Sequence, residues 1–188
     1  MKFLATIIFL FFFLYNPIAN AQDFIVGIKY GYGNGSFKKM VNSEHTASTD
    51  FNQYGISLAF SPYYSKLSLE SSLEYEKDDS ADYVYIPLGF RISFGKRLRL
   101  FIQGGGYYSV LLNSHTKEFI MKDDYGAHLG TGLLYAIDKR WRIEAGYYRR
   151  FGFGSPMVKK ILQPVNSYVT EKHKFSAYNI ELAIKYRF

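Results

Sequence analysis

Residues 24–33 alternate one for one. Phe24, Val26, Ile28, Tyr30 and Tyr32 fall on one face of an extended chain, with Gly27, Lys29, Gly31 and Gly33 on the other. A period of two predicts a strand. The split recurs in 51–61, where Tyr54, Ile56, Leu58 and Phe60 oppose Gln53, Gly55, Ser57 and Ala59. In 64–76, Leu67, Leu69, Leu73 and Tyr75 oppose Ser68, Glu70, Ser72, Glu74 and Glu76. Segments 83–94, 98–112, 125–137, 140–151 and 175–188 follow the same rule, the last setting Tyr178, Ile180, Leu182, Ile184, Tyr186 and Phe188 against Asn179, Glu181, Ala183, Lys185 and Arg187.

Eight strands is an even number and the smallest usual size for a membrane barrel. The connections alternate in length: 61–63, 95–97 and 138–139 are short, while 34–50, 77–82, 113–124 and 152–174 are longer. Bacterial outer-membrane barrels have short periplasmic turns and longer outer loops, so both termini are expected on the periplasmic side. Alternation alone leaves open which face points outward, because a secreted lipocalin-like barrel would turn its bulky set inward. An eight-stranded barrel is just wide enough to be filled by side chains, and this many Phe, Tyr, Leu and Ile would overfill it. The bulky set is therefore assigned to lipid and the small and polar set to the interior, which predicts an all-β, up-and-down, eight-stranded antiparallel transmembrane β-barrel.

The N-terminus changes the picture from barrel to exported barrel. Residues 1–21 carry one basic residue, Lys2, an apolar run over 3–15, a break at Asn16 and Pro17, and then Ala19-Asn20-Ala21. This is the pattern of a secretory signal peptide cleaved after Ala21, leaving a barrel domain of residues 22–188. The apolar run is too short for a membrane helix, which needs about 20 residues. With no Cys there is neither a disulfide framework nor a thiolate metal site. The 18 Tyr and 17 Phe suit a lipid-facing band with interfacial girdles better than a soluble core. The formal net charge of +7 is spread singly through strands and loops. Its expected counterparts are lipid head groups and surface glycolipid, not nucleic acid.

Three stretches, YVYIPLGFRISFG from Tyr83, LRLFIQGGGYYSVLL from Leu98 and YGAHLGTGLLYAIDKRWRIEAGYYRRFG from Tyr125, resemble the outer-membrane β-barrel domain proteins of Bacteroidetes, often labelled porin family. The resemblance covers strands four to seven best and implies fold and location. Because some members of that family serve secretion or gliding machinery, it also implies an envelope-protein partner. The end of the chain, with Phe188 preceded by Tyr186 and Ile184, resembles the C-terminal strand signature that the barrel assembly machinery recognises.

Candidate chemistry lies mainly on the inward face. Lys29, Arg91, Arg99, Arg142 and Lys185 face Glu70, Glu144 and Glu181. Charges in a narrow, low-dielectric lumen are tolerated when paired and hydrogen-bonded, so these eight are expected to form a network that plugs the barrel and holds strand register. Tyr85, Tyr107 and Tyr148 narrow the lumen further. The alternative, a small-solute or ion pore, would need gaps in the network. Roughly 16 to 18 strands are what leave porins a channel. A lipid-modifying enzyme would need a hydroxyl activated by His and an acid. The four His are His45, His115, His128 and His173, and neither G-x-S-x-G nor a metal-ligand spacing occurs near them. No catalytic residue, metal or cofactor is assigned. Tyr63, Tyr64, Phe94 and Trp141 read as an aromatic girdle at the periplasmic end. The acidic stretch 77–82 reads as a hairpin turn. The longest connection, 152–174, carries Met157, Val158, Ile161 and Leu162. It is read either as a loop that covers the mouth or meets a partner, or as strand extended beyond the membrane. The functional expectation is a non-enzymatic structural or interaction component of the cell envelope.

Overall fold

A computed structural model describes residues 22–39, 45–62, 66–115, 120–154, 156–162 and 168–188. The expected signal peptide, Tyr63 and Tyr64 lie outside the described residues. Ten strands form one antiparallel sheet: β1 (Gln22–Lys39), β2 (His45–Pro62), β3 (Leu67–Asp78), β4 (Ala81–Gly95), β5 (Leu98–Ser114), β6 (Ile120–Met121), β7 (Asp124–Ala136), β8 (Trp141–Gly152), β9 (Met157–Leu162) and β10 (Tyr168–Arg187). Eight of them are staves, in the order β1-β2-β3-β4-β5-β7-β8-β10, and β10 returns to pair with β1 from Ile25↔Arg187 to Lys39↔His173. Closure leaves no free edge in the wall, as a lipid environment requires of any spanning sheet. The two short strands are additions at the long-loop end, β9 pairing with the upper part of β10 and β6 with β9.

The expected faces are observed. Ile28, Phe90 and Ile180 each expose more than 60% of their surface, while Lys29, Arg91 and Glu181 beside them are buried. A continuous apolar belt of this kind is unfavourable in water and favourable in lipid. Several bulky residues nonetheless turn inward: Phe51, Phe101 and Leu134 are almost wholly buried. Room for them comes from glycine on the neighbouring strands. A Cβ at Gly132 would meet the Phe101 ring, and one at Gly130 or Gly146 would meet the Tyr148 ring. Rings thus fill the volume that glycines on their own and nearby staves leave empty.

At the short-turn end, Gly95 adopts φ +118°, and a Cβ there would collide with the Leu98 carbonyl. Only glycine enters that region without strain. The β7–β8 turn is tied by the Asp138 carboxylate, which accepts from the backbone N–H of Arg140 at 2.7 Å and of Trp141 at 2.6 Å. Asp138 is consequently held below the ordinary carboxylate pKa, chiefly by the Trp141 N–H and then by that of Arg140. At the other end Asp78 accepts from the N–H groups of Ser80 and Ala81, so 77–82 is a capped hairpin as expected.

Two connections depart from the expectation, and in a third the strand-extension reading holds. The 34–50 loop is mostly strand, since β1 runs to Lys39 and β2 begins at His45. Asn34 donates across this extension to Ser48 at 3.0 Å and Asp50 at 2.8 Å. Likewise β5 continues to Ser114, and within 152–174 both β9 and the first part of β10 are strand. Beyond the apolar belt both faces of a strand can be polar, so the backbone ladder continues after the hydrophobic alternation has ended.

Candidate functional site

The inward positions of all eight staves converge on the barrel axis. Arg91 on β4 is the hub: Nη1 lies 2.7 Å from Glu144 Oε2, Nη2 lies 3.0 Å from Glu70 Oε2, and Nε and Nη2 donate to Gln103 Oε1 at 3.1 and 2.9 Å. Its guanidinium stacks 4.0 Å above the Phe101 ring and also reaches the Tyr148 hydroxyl at 3.2 Å. Lys185 on β10 bridges the same two acids, 2.6 Å from Glu70 Oε1 and 2.8 Å from Glu144 Oε2. Two cations and two anions from β3, β4, β8 and β10 thereby balance.

A second layer follows toward the long-loop end. Lys29 on β1 sits 2.9 Å from Glu74 and 2.6 Å from Glu181, with Ser72 also donating to Glu74. Asn179 donates to Glu181 at 2.7 Å and to Gln53 at 3.0 Å. A third layer places Arg150 2.6 Å from Glu76 and between the rings of Tyr85 and Phe51, at 4.3 and 4.6 Å. Tyr107 donates to Asp124 at 2.6 Å beside it. Above this, Phe37, Ala81, Tyr83 and Met121 form an apolar cluster with Leu111 and Phe175 packed against it.

Six of the eight residues expected in the network are joined in it: Lys29, Glu70, Arg91, Glu144, Glu181 and Lys185. Arg99 and Arg142 are not. They lie nearer the short-turn mouth than the acids they were matched with; Arg99 donates instead to the Lys96 carbonyl at 2.8 Å. Glu74, Glu76 and Arg150 take part instead. They share the parity of Glu70 and Glu144 along β3 and β8, a signal present in the sequence, but which acid meets which base depends on the stagger between strands.

The girdle residues Phe94 and Trp141 are exposed at the short-turn end, with Lys66 6.0 Å over the Phe94 ring. Trp141 packs edge-on against Tyr186, and Tyr186 against Phe188, with centroids 5.0 and 4.9 Å apart. The Phe188 N–H donates to the Phe24 carbonyl at 2.9 Å, and Ile184 pairs with both Ile28 and Ile143, so the terminal strand is the one that closes the wall. Met157, Val158, Ile161 and Leu162 belong to β9, where 157–162 pairs with 168–173 as a strand extension.

His128 is buried with Nε2 3.4 Å from Gln103 Nε2, and His115 lies 3.2 Å from Asp82 at the rim. His173 is wholly buried. His45 begins β2. Among the described residues no group of three His, Asp or Glu is arranged to hold a metal ion.

Closed antiparallel wall, apolar belt and packed polar lumen together define the fold class of the small outer-membrane β-barrels. Solved structures of that class superpose on the chain. The N-terminal β-barrel domain of Pseudomonas aeruginosa OprF matches with a TM-score of 0.55 and 14% identity, covering 85% of this chain and 97% of that one. Neisserial surface protein A gives 0.56 at 11% identity, covering 87% and 97%. The outer membrane protein OprG of Pseudomonas aeruginosa gives 0.53 at 14% identity, covering 89% and 96%. No protein-family model and no curated protein sequence matches the chain.

Proposed function

We propose that this chain is a non-enzymatic integral outer-membrane barrel, plugged along its axis, that serves as a structural or interaction component of the cell envelope. In this reading residues 1–21 direct export, the short turns face the periplasm, and the chain is a Bacteroidetes-type barrel inserted by the barrel assembly machinery through its terminal strand. The apolar belt meets outer-membrane lipid, and the long-loop end meets surface glycolipid or an envelope partner. The observation that carries the proposal is the lumen itself: three stacked layers of ion pairs and rings, capped by the Phe37–Tyr83–Met121 cluster, occupy the space a solute would need. The extension built from β6, β9 and β10 carries the sheet past the staves at the long-loop end, where a partner would meet it.

Two measurements test this. Purified monomer in a planar bilayer should give no steady stepwise current; a reproducible conductance would replace the plugged barrel with a pore. Extraction from native outer membranes in mild detergent, followed by sizing and mass spectrometry, should recover companions in fixed ratio, lost when 157–162 is replaced by a Gly-Ser linker. A lone monomer would remove the partner and leave a stand-alone structural barrel.

A further inference from the structure

Charge is distributed unevenly along the barrel axis. The short turns, with the last two residues of each stave at that end, hold Lys66, Lys96, Arg97, Arg99, Lys139, Arg140, Arg142 and Arg187 against only Asp23 and Asp138. Eight cations against two carboxylates is an excess of six, so this rim accounts for six of the chain's seven net positive charges. Four of the eight, Arg99 included, are bonded to turn or strand-end groups. Arg187 pairs with Asp23, Arg97 donates to the carbonyls of Ala136 and Ile137, and Arg140 reaches the Tyr186 hydroxyl at 3.0 Å.

Arg142 differs. It lines the barrel mouth, is 8% exposed, and among the described residues its side chain makes no hydrogen bond or ion pair. Arg99 and Arg187 act on it as like charges, more strongly than Glu144 and Asp23 act as opposite ones. The guanidinium nitrogens of Arg142 are not among the buried unpaired atoms, so these unpaired donors open onto the water of the mouth. The mouth it faces contains a cavity of about 30 Å³, lined among others by Lys66, Arg91, Arg99, Arg142 and Lys185, with Glu70 and Glu144 as the acids. Both acids are already paired with Arg91 and Lys185.

We propose that this mouth is a binding site for a phosphate group, held by Arg142 and Arg99 with Lys66 at its edge. The lining carries three more positive than negative charges, which one multiply charged oxyanion offsets better than a single carboxylate. The forked, permanently charged guanidinium of Arg142 presents parallel donors that match phosphate oxygens. The cavity has room for about two waters, so the phosphate displaces solvent and leaves its substituent outside the mouth. That substituent distinguishes two sources: a soluble phosphate ester, or the head group of an anionic phospholipid leaning over the turn.

The test uses the full-length mature barrel in neutral detergent. Inorganic phosphate should bind saturably in calorimetry, shift the Arg142 side-chain resonances, and weaken as salt is raised. R142Q should lose at least tenfold in affinity, with R142K recovering part of it. R99Q should weaken binding as well. Heat-modifiable gel migration checks that each variant is folded; if R142Q fails it, R99Q carries the test, since Arg99 is bonded only to a turn carbonyl. If inorganic phosphate does not bind, but phosphatidylglycerol is retained over phosphatidylcholine in native mass spectrometry and lost in R142Q, the source is the lipid head group. Binding of neither ligand, or equal binding by wild type and both variants, overturns the site.

Discussion

Glu144 is the acid shared by the two central cations, with Arg91 Nη1 at 2.7 Å and Lys185 Nζ at 2.8 Å. Replacing it by Gln keeps the shape and removes one charge, leaving two cations on Glu70 alone, at 3.0 and 2.6 Å. Removing one partner of a buried pair costs about 3–5 kcal/mol. Because Glu70 stays in reach of both cations, E144Q should fall near the lower end, about 3 kcal/mol, which is roughly a hundredfold in the folding equilibrium. K185M should cost a similar amount by leaving two carboxylates on one guanidinium. The double variant E144Q/K185M restores one anion to one cation, and the Arg91–Glu70 contact survives. It should therefore be no less stable than either single variant, a coupling of about 3 kcal/mol. Reversible urea unfolding in lipid vesicles, followed by Trp141 fluorescence and extrapolated to water, measures all three. If the losses simply add, the charges do not form one network, and the account of a balanced central layer is wrong.

Other expectations follow from the wall and its turns. Leu88→Arg, in the middle of the apolar belt, should cost about 2–4 kcal/mol in the same assay and Leu112→Arg, near a strand end, about 1 or less; equal costs would mean that the belt does not face lipid. Gly95→Ala should destabilise by more than about 1 kcal/mol, since both the positive φ and the Leu98 carbonyl oppose a Cβ, and an unchanged unfolding midpoint would refute the strain. For Asp138, whose pKa is lowered by the Trp141 and Arg140 N–H groups, the stabilisation is present above the unfolded carboxylate value and is lost as pH falls through the folded one. Protection of the Trp141 amide relative to its intrinsic exchange rate should accordingly fall below about pH 4 in wild type, and Asp138→Asn should flatten that dependence; a profile identical in both proteins would show that the cap contributes nothing.

Legibility in the sequence followed the physics of each region. Within the belt, lipid on one side and a polar interior on the other force opposite chemistry onto alternate residues, so strand number and inward parity were readable at Lys29, Glu70 and Glu181. Beyond the belt that constraint ends. Residues 34–39 and 45–50 continue as strand on backbone pairing and a few polar side-chain bonds such as Asn34 to Asp50, so their composition resembles a loop. Inward aromatics were obscured for a related reason: Phe101 carries the same hydrophobicity as its lipid-facing neighbours Leu100 and Ile102, and only the glycines of β7 and β8 across from it make room for it inside.

The amino-acid sequence by itself determined the two-faced strands, their number and the oily outside, because a period of two and a volume limit are local and additive properties. The tertiary structure alone decided which charges meet. Arg142 and Arg150 share one face of one strand, yet strand stagger brings Glu76 to Arg150 at 2.6 Å and leaves Arg142 with no ion-pair partner among the described residues. Parity is written in each strand separately, whereas height along the axis depends on the register of all eight staves and is set only when β10 closes on β1.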